Sequence, residues 1–278
     1  MMKFDSSVIL EKVKDIPPLP QIASKILAVM NSKDYSISEV VYYASKDVAL
    51  TAEILKVANS AIFSPRDEIK DLRHAIVILG EKNLKSLLAA LSMKSYFYKN
   101  EPKKDLANKI WEHSLSVAIM ARLLSQHVTD VDSSEAFLLG ILHDIGKVIL
   151  LLTTEFYEEI VTIARKTNVN ICEIESNLIG FNHAEIGGYV LKEWKLPRTY
   201  YEKVYYHHDV TEYNDKMIAL LGVSNYLVNT KGIGLNLSDE VVFEKGMSIL
   251  NLDNDTINGV VETFSEIYEM ERKIFTGD

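Results

Sequence analysis

The 278-residue sequence predicts an all-α fold, and three observations lead to that prediction. Glycine (12 residues) and proline (6 residues) together have about half their usual share, whereas sandwiches and barrels use both in turns. Apolar residues recur at the helical period, and the alternation typical of strands is nearly absent. Residues that cap helix N-termini recur before these apolar segments. We therefore expect almost the whole chain to be helical.

The composition predicts a folded, cytoplasmic protein. Apolar residues make up 47% and charged residues 25%, which excludes a disordered chain. The net charge of −9 disfavours binding to nucleic acid or to an anionic membrane, and no concentrated basic helix offsets it. Cys172 is the only cysteine, so no intrachain disulfide can form, as is typical of proteins in the reducing cytosol. The N-terminal residues lack the apolar core of a signal peptide.

Several short helices are predicted in the first hundred residues. Ser36 and Glu39 form an S-x-x-E capping box, and Asp47 precedes another apolar helical stripe. The segment VVYYAS at 40–45 resembles a strand, but it follows the capping box and continues a helical period. Gly80 should end one helix, after which a longer helix begins at once. Further N-caps are expected at Asp71, Asp132, Ser238 and Asp253.

The clearest break in the chain is the polar segment YKNEPKKD at 98–105. It predicts an N-terminal helical subdomain at 1–100 and a second helical subdomain at 101–278, of which the last two helices, after about residue 238, are an addition. In the second subdomain, helices are predicted at about 103–127, 133–152, 155–167, 171–179, 183–194, 199–207, 215–230, 238–249 and 254–274.

The longest apolar run, from Ala136 to Leu152, carries polar residues at its centre. These are His143, Asp144 and Lys147, which would be costly at the middle of a bilayer, so we expect a buried helix rather than a membrane span. An unpaired buried polar group costs about 1–3 kcal/mol. We therefore expect His143 and Asp144 to meet polar groups from other helices, and the remaining histidines are the obvious candidates.

Imidazole and carboxylate are suitable ligands for divalent transition metals, and several helices could each contribute one. Such a site needs acceptors for the outer ring nitrogens, and Glu112 and Glu185 are the nearby candidates. Adjacent helical residues diverge by about 100°, so His143 and Asp144 share an ion only where both can turn inward. Taken singly, each histidine favours a structural interpretation, as a hydrogen-bonded core residue or as a side chain in solvent. The candidate ligands from four sequence contexts are His113, His143, Asp144, His183, His207 and His208.

The order H…HD…H…HH, with HDIGK at its centre, resembles the HD superfamily of metal-dependent phosphohydrolases. The segments IPPLPQIASKIL at 16–27, SISEVVYYASKDVALTAEILKVANSA at 36–61 and DLRHAIVILGEKNLKSLLAALS at 71–92 are more specific, because they resemble the HDOD domain. HAEIGGYVLKEWKLP at 183–197 also matches that family. The resemblance spans about residues 10 to 230.

The HDOD resemblance implies an N-terminal helical bundle packed on an HD-like bundle, with a regulatory role in bacterial signal transduction and no hydrolysis. It implies a degenerate metal site for Fe, Mn or Zn at His113, His143, Asp144, His183 and His207 or His208. Asn225 stands where active HD enzymes have a final aspartate, and a neutral amide is the weaker ligand. The sequence HHDVTEYND replaces the glycine-rich and GYP residues of cyclic di-GMP phosphodiesterases, which counts against that substrate.

Three functional hypotheses follow, in order of preference. The first is a non-catalytic signalling module that binds a protein partner or a small ligand such as a nucleotide, with the last two helices available for association or a homodimer. The second is metal binding without turnover. The third is a metal-dependent phosphohydrolase acting on a nucleotide or phosphodiester, in which the ion activates water and Lys147 helps to neutralise the phosphate.

Overall fold

The structure is a computed structural model, and it describes residues 11, 21–30, 32, 34–59, 63, 67–97, 103–167, 169–194, 196–210, 212–235 and 240–276. The predicted all-α class is confirmed, because these described residues form helices and contain no strand. The described part of the chain divides into two compact units. One consists of Glu11 and the described residues from Phe97 to Phe264, and the other of the described residues between Pro17 and Tyr96 together with those from Ser265 onwards.

The smaller unit contains helices that begin where the sequence predicts caps. Its helices are α1 (Gln21–Met30), α2 (Ile37–Ala44), α3 (Val48–Ala58) and α4 (Leu72–Phe97). The side chain of Ser36 accepts a hydrogen bond from the backbone N–H of Glu39, and that of Asp47 accepts one from Leu50. Helix α4 is kinked at Gly80, whose φ of 70° and ψ of 167° interrupt the helical backbone between two helical segments.

The larger unit holds the remaining helices. They are α5 (Lys104–Ser125), α6 (Ser133–Leu142), α7 (Ile145–Thr153), α8 (Tyr157–Thr167), α9 (Ile171–Leu178), α10 (His183–Glu193), α11 (Arg198–Tyr205), α12 (Lys216–Thr230), α13 (Glu240–Leu250) and the first part of α14 (Asn254–Thr276). Asp132 and Asp253 cap α6 and α14, as predicted. The full capping box of Asn182 and Glu185 at α10 was not predicted.

The predicted continuous helix over 133–152 is wrong at one point, because it is divided at His143 and Asp144. The backbone N–H of His143 still bonds to Leu139 at 2.8 Å, but Asp144 leaves helical geometry with φ −99° and ψ 15°. The two halves together are long and apolar enough to cross a membrane, yet 89% of that window is buried inside the protein. The turn between them lets adjacent side chains face the same interior, which a regular helix would not allow.

Two glycines bring the helices of this unit unusually close together. A Cβ at Gly140 in α6 would collide with the backbone of Ala118 in α5, and a Cβ at Gly146 in α7 would overlap the carbonyl group of His183. The second contact presses the start of α7 against the start of α10. Asp144 and His183, which flank this contact, are thereby held near each other.

The proline-rich segment at 17–20 and Ser238 lie outside the described residues. The predicted boundary at residue 100 and the predicted role of the last two helices stay predictions.

Candidate metal centre

Side chains from four places in the larger unit meet around one buried carboxylate. Asp144 and His143 come from the turn between α6 and α7, His113 from the middle of α5, His183 from the first residue of α10, and His207 from the segment after α11. His143 and His183 have an exposed fraction of 0%, Asp144 of 1%, and His113 and His207 of 2%. Residues that are up to 94 positions apart in the sequence, from His113 to His207, thus share one interior.

The carboxylate of Asp144 contacts four imidazoles and one ammonium group. Its Oδ2 lies 2.8 Å from Lys147 Nζ, 3.3 Å from His143 Nε2 and 3.7 Å from His113 Nε2. Its Oδ1 lies 3.3 Å from His183 Nε2 and 3.9 Å from His207 Nε2. The i,i+3 ion pair with Lys147 therefore exists, but it is one contact within a larger buried cluster.

The outer nitrogens of three rings are bonded to oxygen acceptors. His143 Nδ1 lies 2.7 Å from the carbonyl oxygen of Gly140, and His207 Nδ1 lies 2.6 Å from that of Val204. His183 Nδ1 lies 2.7 Å from a carboxylate oxygen of Glu175. Carbonyl and carboxylate oxygens only accept, so each Nδ1 carries the proton and donates it. In the neutral ring, the lone pair is then on Nε2, which points towards Asp144.

This arrangement leaves buried acceptors without donors. Among the described residues, His143 Nε2, His207 Nε2 and Asp144 Oδ1 are buried and have no hydrogen-bond partner. Two sets of ligand atoms, each within 4.8 Å of one another, share Asp144 and are the triads His113–His143–Asp144 and Asp144–His183–His207. Imidazole nitrogens and a carboxylate are ligands that divalent transition metals take. The cluster contains groups that could bind a metal.

The carboxylate that accepts a hydrogen bond from the outer nitrogen of His183 belongs to Glu175. The expected candidates were Glu112 and Glu185. Glu175 is fully buried and accepts from His183 Nδ1 (2.7 Å), from the His183 backbone N–H (2.8 Å) and from the Tyr157 hydroxyl (2.6 Å). Glu185 instead accepts from the backbone N–H of Asn182 in the capping box. Nothing in the spacing of Glu175 indicates its role, because α9 and α10 bring it to His183 only through tertiary packing.

His113 lies between two oxygen atoms. Its Nε2 is 2.8 Å from Asn225 Oδ1, and its Nδ1 is 3.3 Å from the carbonyl oxygen of Ile233. The same Asn225 oxygen accepts from Asn229 Nδ2 at 3.0 Å. Gly234, with φ +88°, packs directly against the ring, where a Cβ would lie 2.6 Å from the Cβ of His113. Asn225 therefore lies beside the cluster and contacts it through His113.

His208 adjoins the cluster on the side of His183. Its Nε2 lies 2.9 Å from His183 Nε2, and its ring lies 4.1 Å from that of His207, centroid to centroid. His208 is half-buried, whereas His207 is fully buried. The sequence left open whether this pair lies in solvent, and both rings in fact contact the buried histidines.

Burial and neighbouring charges set the protonation of the cluster. Burial lowers the pKa of His113 to about 3, and burial together with the neighbouring histidines lowers the pKa values of His207 and His208 well below the usual range. Burial opposes charge on Asp144 too, yet His143 and Lys147 hold its pKa well below the ordinary value. At neutral pH His113, His207 and His208 are thus neutral and Asp144 is ionised, and these are the forms that bind metals.

His183 differs from the other rings. Burial disfavours its charged form, but the carboxylate of Glu175 raises the pKa of His183 well above the usual range. In the metal-free protein its Nε2 therefore holds a proton, which it donates to His208 Nε2 at 2.9 Å. A metal ion at this nitrogen would take the place of that proton.

A family model and solved structures match most of the chain. The family model of the HDOD domain matches residues 16–210. An HDOD domain protein of unknown function from Geobacter sulfurreducens is 23% identical, with 97% of this chain and 96% of that chain covered and a TM-score of 0.73. A protein from Shewanella amazonensis, provisionally described as a metal-dependent phosphohydrolase, is 22% identical, with 95% and 97% covered and a TM-score of 0.69. These structural similarities support the fold.

A curated relative matches a shorter region. An uncharacterised protein from Treponema pallidum is 26% identical over 207 residues, which cover 73% of this chain. The match spans 39% of that protein.

Proposed function

The chain belongs to the HDOD domain family, and on that premise we propose that it is a cytoplasmic bacterial signalling module that binds a divalent metal ion in its buried histidine cluster. In this proposal the module acts on a protein partner or a small ligand by binding, without hydrolysing it. The larger unit supplies the metal ligands, and the ion fixes the relative positions of the helices that carry them.

The observation that carries the proposal is the set of buried acceptors without donors around Asp144. His143 Nε2, His207 Nε2 and Asp144 Oδ1 all lie in the interior of the larger unit. Leaving each such group unpaired costs about 1–3 kcal/mol, and cations bound at the two triads would remove that cost. A purely structural histidine core would use the inner nitrogens in hydrogen bonds.

The proposed ligands are His113, His143 and Asp144 for one position, and Asp144, His183, His207 and His208 for another, with Asn225 as a neutral neighbour. Fe, Mn and Zn all suit imidazole and carboxylate ligands. A bound ion would supply Lewis acidity and would acidify any water that it holds. The protein's own contribution is to orient the rings through Gly140, Val204 and Glu175 and to exclude bulk water.

A binding role without turnover is supported by the enclosure and the charge of the site. The rings of His143 and His183 are fully buried, so a substrate phosphate would have to displace protein atoms to reach them. Asp144 already has a cationic partner in Lys147 at 2.8 Å. The side chain of Asn225 is neutral, whereas a carboxylate at this position would increase the affinity for a cation.

Lys147 also favours a second candidate function, a metal-dependent phosphohydrolase. Its ammonium group is buried and lies 2.8 Å from Asp144. An ion bound to Asp144 would repel this ammonium group, which could then neutralise the phosphate of a nucleotide or phosphodiester. The Shewanella amazonensis protein with the same fold carries that description.

Metal analysis of protein purified without chelator or nickel affinity resin tests the proposal. We expect stoichiometric Fe, Mn or Zn in the wild type and its loss in His143→Ala. His127→Ala is the matched control, because His127 is exposed and belongs to neither triad. A wild-type protein that takes up none of these metals, even when they are supplied, contradicts the proposal. Hydrolysis of a phosphodiester that depends on the ion would replace it with the second candidate.

A further inference from the structure

We propose that Tyr205, Tyr206 and Tyr213, at and after the end of α11, form a docking surface for an arginine-rich segment of a partner protein. These three rings are called the tyrosine surface below. The inference rests on the proposed function, since it names the class of partner that the signalling module binds. The tyrosine surface includes none of the proposed metal ligands.

The rings of the tyrosine surface are in direct contact with one another. The ring centroids of Tyr205 and Tyr206 lie 4.7 Å apart, with 69° between the ring planes, and those of Tyr206 and Tyr213 lie 4.2 Å apart at 31°. The exposed fraction is 38% for Tyr205 and 39% for Tyr213. Adjoining aromatic rings that are open to solvent are typical of protein interfaces, where tyrosine is enriched.

The backbone holds the three rings in place. Tyr205 packs on Gly188 of α10, where an added Cβ would lie 2.7 Å from the Cβ of Tyr205. The backbone N–H of Asp209 bonds to the carbonyl oxygen of Tyr206 at 2.8 Å, and that of Tyr213 bonds to the carbonyl oxygen of Asp209 at 3.1 Å. The chain therefore folds back and returns Tyr213 to Tyr206. Because the surface is already formed in the free protein, a partner does not have to order it.

Carboxylates lie beside these rings. The Tyr205 hydroxyl is 3.5 Å from a carboxylate oxygen of Glu185, and Glu212 directly precedes Tyr213 in the chain. Partial burial raises the pKa of Asp209, and the charges of Glu212 and Glu185 raise it further, which shows that the three carboxylates lie close enough to repel one another.

The basic residues of α11 leave these carboxylates without a counter-charge. Arg198 pairs with Glu202 at 2.6 Å, and Lys203 pairs with Glu135 at 3.0 Å. Among the described residues, the carboxylates beside the tyrosine surface form no ion pair. A cationic group from another molecule would therefore meet negative charge that is not neutralised, whereas the phosphates of a nucleic acid or a membrane would be repelled.

Arginine fits this combination of groups better than lysine does. A planar guanidinium group can lie against an aromatic face and donate two parallel hydrogen bonds to a carboxylate, whereas an ammonium group is a compact, strongly hydrated charge. Cation–π attraction to the ring faces adds to the ionic attraction. Several arginines in one segment would use the three rings together, and the net charge of −9 would draw such a segment towards the protein.

Fluorescence anisotropy with a labelled peptide tests the inference on the full chain. The probe is a peptide of alternating Arg and Gly residues, and the comparison peptide has Lys in place of each Arg. We expect the wild type to bind the arginine peptide severalfold more tightly than the lysine peptide. The absence of binding to the arginine peptide, or equal affinity for both peptides, overturns the inference.

Two substitutions locate the binding surface. Tyr213→Leu keeps an apolar side chain but removes the aromatic face, and it should weaken binding of the arginine peptide about two- to fivefold, the range of one exposed cation–π contact. Its control is Tyr42→Leu, an exposed tyrosine of the smaller unit. Glu212→Gln should also weaken binding, whereas Glu159→Gln, at an exposed position on α8, should not. Wild-type affinity in both Tyr213→Leu and Glu212→Gln overturns the inference.

Other occupants of the surface give different results. Free arginine that binds as tightly as the peptide would make a small cation the ligand and overturn the partner segment. A wild-type dimer on size-exclusion chromatography that Tyr213→Leu converts to a monomer would make a second copy of the chain the occupant, and would likewise overturn it.

Zinc titration of the same proteins separates this inference from the proposed metal site. We expect Tyr213→Leu to bind zinc as the wild type does. A wild type that binds zinc but not the arginine peptide overturns the tyrosine surface alone. A protein that binds the peptide and takes up no metal supports the tyrosine surface and contradicts the metal site.

Discussion

Glu175 has more influence on the candidate site than its sequence context indicates. It is fully buried, and its two carboxylate oxygens accept from three donors, two of them on His183. One of these bonds fixes which nitrogen of His183 carries the proton, and so which nitrogen faces the cluster. A carboxylate behind a metal-binding histidine both orients the ring and makes it more basic.

We predict that Glu175→Gln lowers metal affinity about 10- to 100-fold, the range typical for loss of such an outer partner. The amide removes the charge and presents an N–H group to donors that need an acceptor. Isothermal titration calorimetry with zinc measures this change in affinity. Glu173→Gln, an exposed position on the same helix, is the control and should bind as the wild type does. Equal affinities for the two variants would contradict the assigned role of Glu175.

A substitution at Asn225 should increase metal affinity, whereas the substitution at Glu175 should lower it. The side-chain oxygen of Asn225 lies 2.8 Å from His113 Nε2, at the edge of the cluster. We predict that Asn225→Asp tightens metal binding, since a carboxylate adds a negative charge and a stronger oxygen ligand. Competition with a chromogenic chelator measures the change. An unaltered affinity would mean that position 225 does not contribute to the ion's environment.

Burial of neutral histidines makes the metal-free protein sensitive to acid. The pKa of His113 is lowered to about 3, chiefly by burial, and those of His207 and His208 are lowered as well. The histidine pKa in the unfolded chain is about 6.5. Below that pH the unfolded chain binds protons that the buried rings do not bind, so the free energy of unfolding falls as the pH falls. The pKa of His183 is raised instead. Its contribution to stability is therefore present below pH 6.5 and is lost as the pH rises above that value.

We predict that the free energy of unfolding in chelator falls between pH 6.5 and pH 5, with a slope that approaches about 1.4 kcal/mol per pH unit for His113 alone at the lower end. Urea unfolding at a series of pH values measures this slope. His113→Gln removes the titrating group and should make the slope shallower. A metal-free protein whose stability is constant over this window would show that these rings take up protons in the folded state as readily as in the unfolded chain.

At the scale of elements, helix starts are more predictable than helix interruptions. Ser36, Asp47 and Asp132 cap their helices as expected, because a capping side chain acts on its own neighbours in the sequence. The break at His143–Asp144 carries no proline or adjacent stop signal, and the apolar pattern continues through it. Packing in three dimensions decides that break, and the sequence alone therefore predicted one continuous helix.

The contact between α7 and α10 should be essential for the site. We predict that Gly146→Ala destabilises the protein by at least about 1–3 kcal/mol and weakens metal binding, because the added methyl group overlaps the carbonyl group of His183. Gly259→Ala in α14 is the control, since its Cβ would meet no atom within 4 Å, and it should be neutral or slightly stabilising. Thermal unfolding and zinc titration measure both effects. A Gly146→Ala variant with normal stability and affinity would show that the helices can separate without disturbing Asp144.

At the scale of the whole molecule, the helical class and the identity of the clustered histidines could be predicted from the sequence. The apolar run around His143 and Asp144 required polar partners, and scattered histidines were the available candidates. The arrangement of those partners depends on contacts between distant segments. The roles of Glu175 and of the contact between His183 and His208 could not be found from spacing, because each depends on how α9, α10 and the segment after α11 pack.

Metal binding should stabilise the larger unit as a whole, because its proposed ligands come from α5, the α6–α7 turn, α10 and the segment after α11. An ion that binds only the folded state at 100 times its dissociation constant adds about 2.7 kcal/mol to the free energy of unfolding. We predict an increase of this size for the wild type on saturation with zinc or manganese, measured by urea unfolding and reversed by chelator. His143→Ala should lose most of the increase, whereas His127→Ala should keep it. A metal that binds stoichiometrically without raising stability would have to bind the unfolded chain equally well, and the buried cluster would then not be its site.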